Sequence, residues 1–184
     1  ATHVLIAPSW GPNGCIESGV VREIVADLLD NGYRVTLRPH PQTVKFSAQS
    51  VDEIVEAHLD DANFRCESNV AGQDSLHDSD IMISDWSGAA LDYAFGLNKP
   101  VLFLDVPRKI NNPSYEDVEI TPIEVSIRDI VGDILKVDDI ANCAQKIGQL
   151  CSSEPQADRA KYVFNIGKSA SVGSRILIEL FDAS

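Results

Sequence analysis

The chain has 184 residues, 44% of them hydrophobic, which makes one ordinary globular domain with enough apolar side chain to bury a core. Fifteen Lys and Arg against 28 Asp and Glu leave a formal charge of −13, which argues against an extended nucleic-acid or anionic-membrane surface, so any phosphate site has to be local. Cys15, Cys66, Cys143 and Cys151 form no CxxC pair and no Cys/His ligand spacing, so they argue against zinc and read as free thiols of a reducing compartment.

In chain order, residues 3–7 predict a strand and 8–19 a loop rich in Gly, Pro, Ser and Asn. Residues 20–31 predict a helix with Val21, Ile24, Val25, Leu28 and Leu29 on one face and Gly32 as its stop. A second strand over 33–37 runs into Arg38-Pro39-His40-Pro41; 51–59 reads as a helix and 64–66 as a weak strand. The most informative stretch is 79–105, which reads as strand, small-residue turn, helix, strand. Ile81-Met82-Ile83 and Val101-Leu102-Phe103-Leu104 suit strands buried on both faces, and Gly96 and Pro100 stop the helix between them. Farther on, 107–122 reads as a long polar loop, 127–134 as ambiguous, and 137–150 and 169–181 as helices.

Strands alternating with helices predict the α/β class: one Rossmann-like domain over 1–184, with a parallel sheet and helices on both faces. The acidic stretches at 51–56, 60–61 and 115–119 read as solvated faces, because no further oxygen ligands stand in register for a metal. Neither a signal peptide nor an apolar stretch of transmembrane length is present. The abrupt opening at Ala1, into a strand within two residues, reads as a domain excised from a longer protein.

Ligands of such sheets bind where strands end at the carboxyl edge. The turn after the strand at 81–83 holds Ser87, Gly88 and Ala89, none bulky enough to screen the first N–H groups of the helix. The helix end adds about half a positive charge, so a phosphate or diphosphate is the natural guest without any lysine. Close packing of helix on sheet would by itself also favour small residues there. Strand one ends in Pro8-Ser9-Trp10 and strand two in Arg38-Pro39-His40-Pro41, so a hydroxyl loop, an Arg with a His, and a helix N-terminus converge on one edge. Two readings stand for His40: a capping or core histidine in a rigid turn, or an imidazole aimed by the flanking prolines to donate a hydrogen bond or proton to a diphosphate. His3, His58 and His77 read as structural. The missing G-x-G-x-x-G weakens an NAD site, the missing G-x-x-x-x-G-K-[ST] excludes a P-loop, and Pro8-Ser9-Trp10 has no acidic pair for a phosphoacceptor domain.

Taken together, Val4-Leu5-Ile6-Ala7-Pro8-Ser9-Trp10, Arg38-Pro39-His40-Pro41, the run from Ser79 to Gly88 with Asp92 and Lys99-Pro100-Val101, and the stretch from Phe164 to Ser171 with Arg175 resemble the nucleotide-binding, C-terminal half of the CDP-glycerol glycerophosphotransferase family. The resemblance is weakest between Asp105 and Cys151. It implies a GT-B fold with an acceptor-binding half lying upstream, outside this chain.

Position by position, the family's aspartate-aromatic-Ser-Ser turn falls on Asp85, Trp86, Ser87 and Gly88, followed by Ala89, and implies a diphosphate cradle. Its histidine falls on His40, beside Arg38, and implies a catalytic donor to the departing CMP; its aromatic loop falls on Ser9 and Trp10. Gly88 stands where the second serine is usual, which removes a hydroxyl and puts CDP-glycerol itself in question as the donor. Glu124 and Arg128 are the candidates for ribose or base. Gly167, Ser169, Ser171 and Arg175 either bind ligand or belong to a helix N-capped by Ser169 or Ser171, with a tail packed back on the sheet.

The implied activity is transfer of a glycerol-phosphate, polyol-phosphate or sugar group from a CDP- or UDP-activated donor to a cell-surface polymer such as a teichoic acid or capsule chain. No cofactor or metal is expected beyond that donor. The implied setting is cytoplasmic, with no nucleic-acid partner and any membrane contact made by other parts of the parent protein. The alternatives are a UDP-sugar glycosyltransferase or epimerase half-domain, or a non-catalytic nucleotide-binding module.

Overall fold

The computed structural model describes residues 1–69, 71–108, 110, 112–153 and 161–183. Strands β1 (His3–Ile6), β2 (Arg34–Leu37), β3 (Phe64–Cys66), β4 (Ile81–Ser84), β5 (Val101–Asp105) and β6 (Gly132–Lys136) form a single sheet in the order β3-β2-β1-β4-β5-β6. Every pairing is parallel. The chain therefore winds outward from β1 in one direction, then crosses back to β4 and winds in the other.

The sheet is buried on both faces, as the apolar runs require. Val4, Ile6, Ile81, Ile83, Leu102 and Leu104 point to one side, where they meet Val21, Ile24 and Leu28 of α1 (Val20–Asp30), Ile54 of α3 (Ala48–Ala57) and Ile147 of α8 (Cys143–Cys151). Leu5, Met82, Val101 and Phe103 point to the other, onto Ala90 of α5 (Gly88–Leu91) and Tyr93 and Ala94 of the π-helical turn Asp92–Gly96 that continues it. Each fully buried Leu, Ile or Val contributes about 1.5–3 kcal/mol, so these two layers are the main stabilising force. Gly132 opens β6 because a Cβ there would lie 1.7 Å from the Val101 carbonyl oxygen. Only glycine lets β6 pair so closely with β5.

Several elements differ from the sequence expectation. Arg38-Pro39-His40-Pro41 leads straight into a helix, α2 (Pro41–Phe46), with Pro41 in its first turn, where a missing N–H does no harm. Helix α4 (Asp74–Asp78) is short, and lacks the periodic apolar face that would announce it. The ambiguous stretch 127–134 divides into α7 (Arg128–Val131) and the start of β6, and the predicted helix at 137–150 begins as a 3₁₀ segment, Val137–Asn142. The closing helix α9 (Ser169–Asp182) is present, but Ser169 and Ser171 donate to the carbonyls of Asn165 and Lys168, and the side-chain cap expected of them is not formed. Its tail does not pack back on the sheet: Ile176, Leu177, Ile178 and Leu180 are all exposed, and among the described residues its apolar side meets no facing element.

Candidate functional site

The order reversal between β1 and β4 opens a crevice at the carboxyl edge of the sheet, where parallel α/β sheets hold their ligands. Asp85, 2% exposed, closes its floor. One carboxylate oxygen accepts the Ser9 N–H at 2.7 Å; the other accepts the Ser9 hydroxyl at 2.9 Å and the Cys15 thiol at 3.4 Å. The aspartate thus fastens the loop after β1 to the turn after β4, and both of its oxygens are occupied by protein donors. Burial, and secondarily Asp85, drives the Cys15 pKa far above the ordinary thiol range, so the group stays protonated and keeps donating.

A cleft of about 440 Å³ opens beside Asp85, which is not in its lining; it is lined by Ser9, Trp10, His40, Trp86, Ser87, Gly88, Arg108, Tyr115 and Glu124 among others. A second cavity of about 330 Å³ adjoins it along the loop from Gly11 to Gly14, has Asp85 in its lining, and shares Ser9, Trp10, Trp86, Arg108 and Ile110 with the cleft. Ser87 is the N-cap of α5, its hydroxyl accepting the Ala89 N–H at 3.3 Å. That is long for such a bond, so an incoming anion can take over the amide at small loss. Gly88 has a φ outside the left-handed region and nothing within 4 Å of where a Cβ would stand, so neither backbone strain nor crowding demands glycine here.

His40 satisfies the capping reading and also faces the cleft. Its Nδ1 accepts the Gln42 N–H at 3.1 Å as the N-cap of α2. A neutral imidazole accepting at Nδ1 carries its proton on Nε2, which makes the second nitrogen a donor. Trp10, 36% exposed, stacks on the ring with centroids 6.1 Å apart and 26° between planes.

The structure places the remaining predicted residues less uniformly. Arg38 lies outside the cleft lining: it donates to the Ser75 hydroxyl at 3.1 Å and the Gly72 carbonyl at 2.9 Å, tying the end of β2 to the approach to α4. Ala89 also falls outside the lining, though its N–H belongs to the turn. Glu124, in α6 (Ile123–Ser126), stands exposed on the far wall. Arg128 is buried behind Trp86, with its guanidinium carbon 4.1 Å from the indole centroid, and does not line the cleft. Burial lowers its pKa and Asp105 opposes that shift.

Residue-by-residue reading missed Arg108, Ile110, Asn112 and Tyr115, which line the same cleft as Ser87. They sit in the segment read only as a polar loop, yet that segment follows the carboxyl end of β5, and the same edge rule would have found them.

A parallel sheet in this strand order, with its cleft at the switch point, defines a Rossmann-like α/β domain of the kind from which GT-B enzymes are assembled. Over residues 1–109 the chain matches the model of the CDP-Glycerol:Poly(glycerophosphate) glycerophosphotransferase family, and it belongs to that family. The matched part holds β1 to β5, His40 and the turn at Ser87; Glu124, Arg128 and α9 lie beyond it. Comparison with curated proteins finds no match. Among solved structures, the chain is similar to UDP-GlcNAc 2-epimerase of Methanocaldococcus jannaschii, crystallised with UDP-GlcNAc and UDP, at TM-score 0.58 and 14% identity. That match covers 97% of this chain and 46% of the epimerase, so the chain spans about half the length of that relative. It is also similar to the C-terminal domain of a group 1 glycosyl transferase from Francisella tularensis, at TM-score 0.47 and 14% identity over 83% of this chain and 76% of that one. Among the described residues no helix is long and apolar enough to cross a membrane.

Proposed function

We propose that this chain is the donor-binding domain of a transferase that moves a glycerol-phosphate, polyol-phosphate or sugar group from a CDP- or UDP-activated donor to a cell-surface polymer. The acceptor would be held by a second domain of a longer protein. The observation that carries this reading is the convergence of a helix N-terminus at Ser87 and Gly88, the Arg108 guanidinium and the His40 imidazole on one cleft of nucleotide size. Membership of the glycerophosphotransferase family supports the same chemistry.

In this reading the diphosphate sits on the turn at Ser87-Gly88-Ala89, with Arg108 neutralising charge that the acidic chain otherwise repels. Trp10 and Tyr115 offer faces for the base, and the Glu124 carboxylate accepts from ribose hydroxyls. When an acceptor hydroxyl attacks the transferred group, a bond from the acceptor oxygen to that group forms as the group's bond to the nucleotide phosphate oxygen breaks. The hydroxyl's proton leaves to a base on the acceptor side or to water, and negative charge grows on the departing nucleotide oxygen. His40, with its proton on Nε2, donates to that charge, an interaction stronger in the transition state than in the ground state. No resident cofactor is required, because helix end, Arg108 and His40 together disperse the charge.

Titration calorimetry of the 184-residue chain with CDP, UDP, CMP and cytidine tests the reading. Diphosphates should bind measurably more tightly than CMP, and cytidine weakest of all. Equal affinity for cytidine and CDP would overturn it, and the order of CDP and UDP would identify the base.

A further inference from the structure

Arg128 is 3% exposed, and a guanidinium withdrawn from water is costly unless its donors are met. Here they are met sparingly. One amino group donates to the Leu104 carbonyl at 2.8 Å, the other reaches Asp105 only at 3.5 Å, and Nε has no partner among the described residues. The group packs instead through its flat face, 4.1 Å from the Trp86 ring centroid and 5.2 Å from that of Phe103. The indole is also tied by its N–H to the Val106 carbonyl at 2.9 Å. The Arg108 guanidinium carbon also lies over the ring, more loosely, at 5.3 Å from its centroid. The buried restraint from Arg128 and the bond to Val106 both run to the carboxyl end of β5, and the residue that follows Trp86 is the helix cap Ser87.

We propose that Arg128 is a positioning residue for the phosphate turn: it clamps the Trp86 ring and thereby holds Ser87, Gly88 and Ala89 where a diphosphate needs them, without touching the ligand itself. This rests on the diphosphate reading of the cleft given above. The clamp depends on a planar cation, since the guanidinium stacks on the ring while bonding the strand end, which an ammonium cannot do in the same way. A residue supplying only positive charge would be replaceable by lysine, and one supplying only apolar bulk by methionine.

The chain has two tryptophans, so in a Trp10→Phe background Trp86 is the sole indole reporter. In that background Arg128→Lys and Arg128→Met should each red-shift Trp86 emission and raise its acrylamide quenching at least twofold. With Trp10 retained, either variant should weaken CDP binding, measured by calorimetry, at least tenfold. Unchanged Trp86 quenching in Arg128→Lys, or CDP affinity within twofold of the unsubstituted chain, would overturn the proposal. Failure of both variants to fold would assign Arg128 to the core and overturn it equally. If the unsubstituted chain binds neither CDP nor UDP, the functional reading falls, and the quenching result still decides whether Arg128 clamps Trp86.

Discussion

Asp85 receives both the backbone N–H and the hydroxyl of Ser9, at 2.7 and 2.9 Å, across 76 positions of sequence. Because the carboxylate is buried and also accepts from Cys15, Asp85→Ala leaves an amide, a hydroxyl and a thiol unmet beside the cleft, in the lining of the adjoining cavity. Hydrogen bonds to a charged group contribute about 1.5–3 kcal/mol each, so the substitution should destabilise the domain by roughly 3 kcal/mol or more. Asp85→Asn keeps one acceptor oxygen for the Ser9 N–H and should lose about half as much by the same bookkeeping. Urea denaturation of the two variants beside the parent chain measures this directly.

For His40, capping and chemistry can be separated by one substitution. Asparagine is among the best N-cap residues, so His40→Asn should retain the cap of α2, whereas His40→Ala should lose about 0.5–2 kcal/mol of stability. In the longer transferase proposed above, both should lower kcat by about a hundredfold, the usual scale for one positioned acid or oxyanion donor, with donor KM changed far less. His40→Gln should recover part of the turnover if hydrogen bonding outweighs proton transfer. Near-normal kcat in His40→Asn would reduce His40 to its capping role.

At the turn after β4, which the proposed function assigns to the diphosphate, charge and space make opposite predictions for neighbouring residues. Ser87→Asp keeps a good N-cap and places a carboxylate at a helix end that stabilises it, so the thermal midpoint should hold or rise slightly. The same charge repels the donor, so CDP binding should vanish in calorimetry. Gly88→Ser meets no atom within 4 Å and no left-handed backbone, so stability should stay within about 0.5 kcal/mol and CDP binding should hold or strengthen through the added hydroxyl. Loss of folding in Gly88→Ser would show a constraint on that position beyond the space around it.

His3 gives the fold an acid-sensitive point far from the cleft. It is buried at the amino edge of β1, with Nε2 against the Thr36 hydroxyl at 2.8 Å and Nδ1 against Arg34 at 3.0 Å. Burial lowers its pKa below the ordinary value of 6.5, a shift the Asp78 backbone contact opposes and the charges of Arg34 and Arg65 reinforce. The unfolded chain therefore binds a proton more readily than the folded one, and stability attributable to His3 is whole above pH 6.5 and declines as pH falls below it. The slope from this one group is at most about 1.4 kcal/mol per pH unit. Denaturation at pH 7.5 and 5.5 should show a smaller loss in His3→Gln than in the parent chain.

The architecture was legible because its signals are local: Val4 to Ile6, Ile81 to Ile83 and Val101 to Leu104 are unbroken apolar runs, which parallel strands covered on both faces require. The turn at Ser87 was legible for the same reason. What escaped was set by contacts distant in sequence. Nothing near Arg128 shows that it will lie against Trp86, and nothing near Arg38 shows that its donors will go to Gly72 and Ser75. Strand β6 was obscured because Gly132 and Asp133 carry no strand preference, and it forms through its pairing with β5.

The fastening of Ser9 to Asp85 gives the cleft two unlike walls. One side is built into the sheet before any ligand arrives, so binding orders little there and loses little entropy. The other side, from Tyr115 to Glu124, hangs on a 3₁₀ turn and a one-turn helix that bury none of their residues. In the donor-binding role proposed above, selectivity among donors would drift by substitution along that lightly packed wall, while the half assigned to the diphosphate stays fixed by the core. Such a division lets one scaffold change its substrate without having to refold.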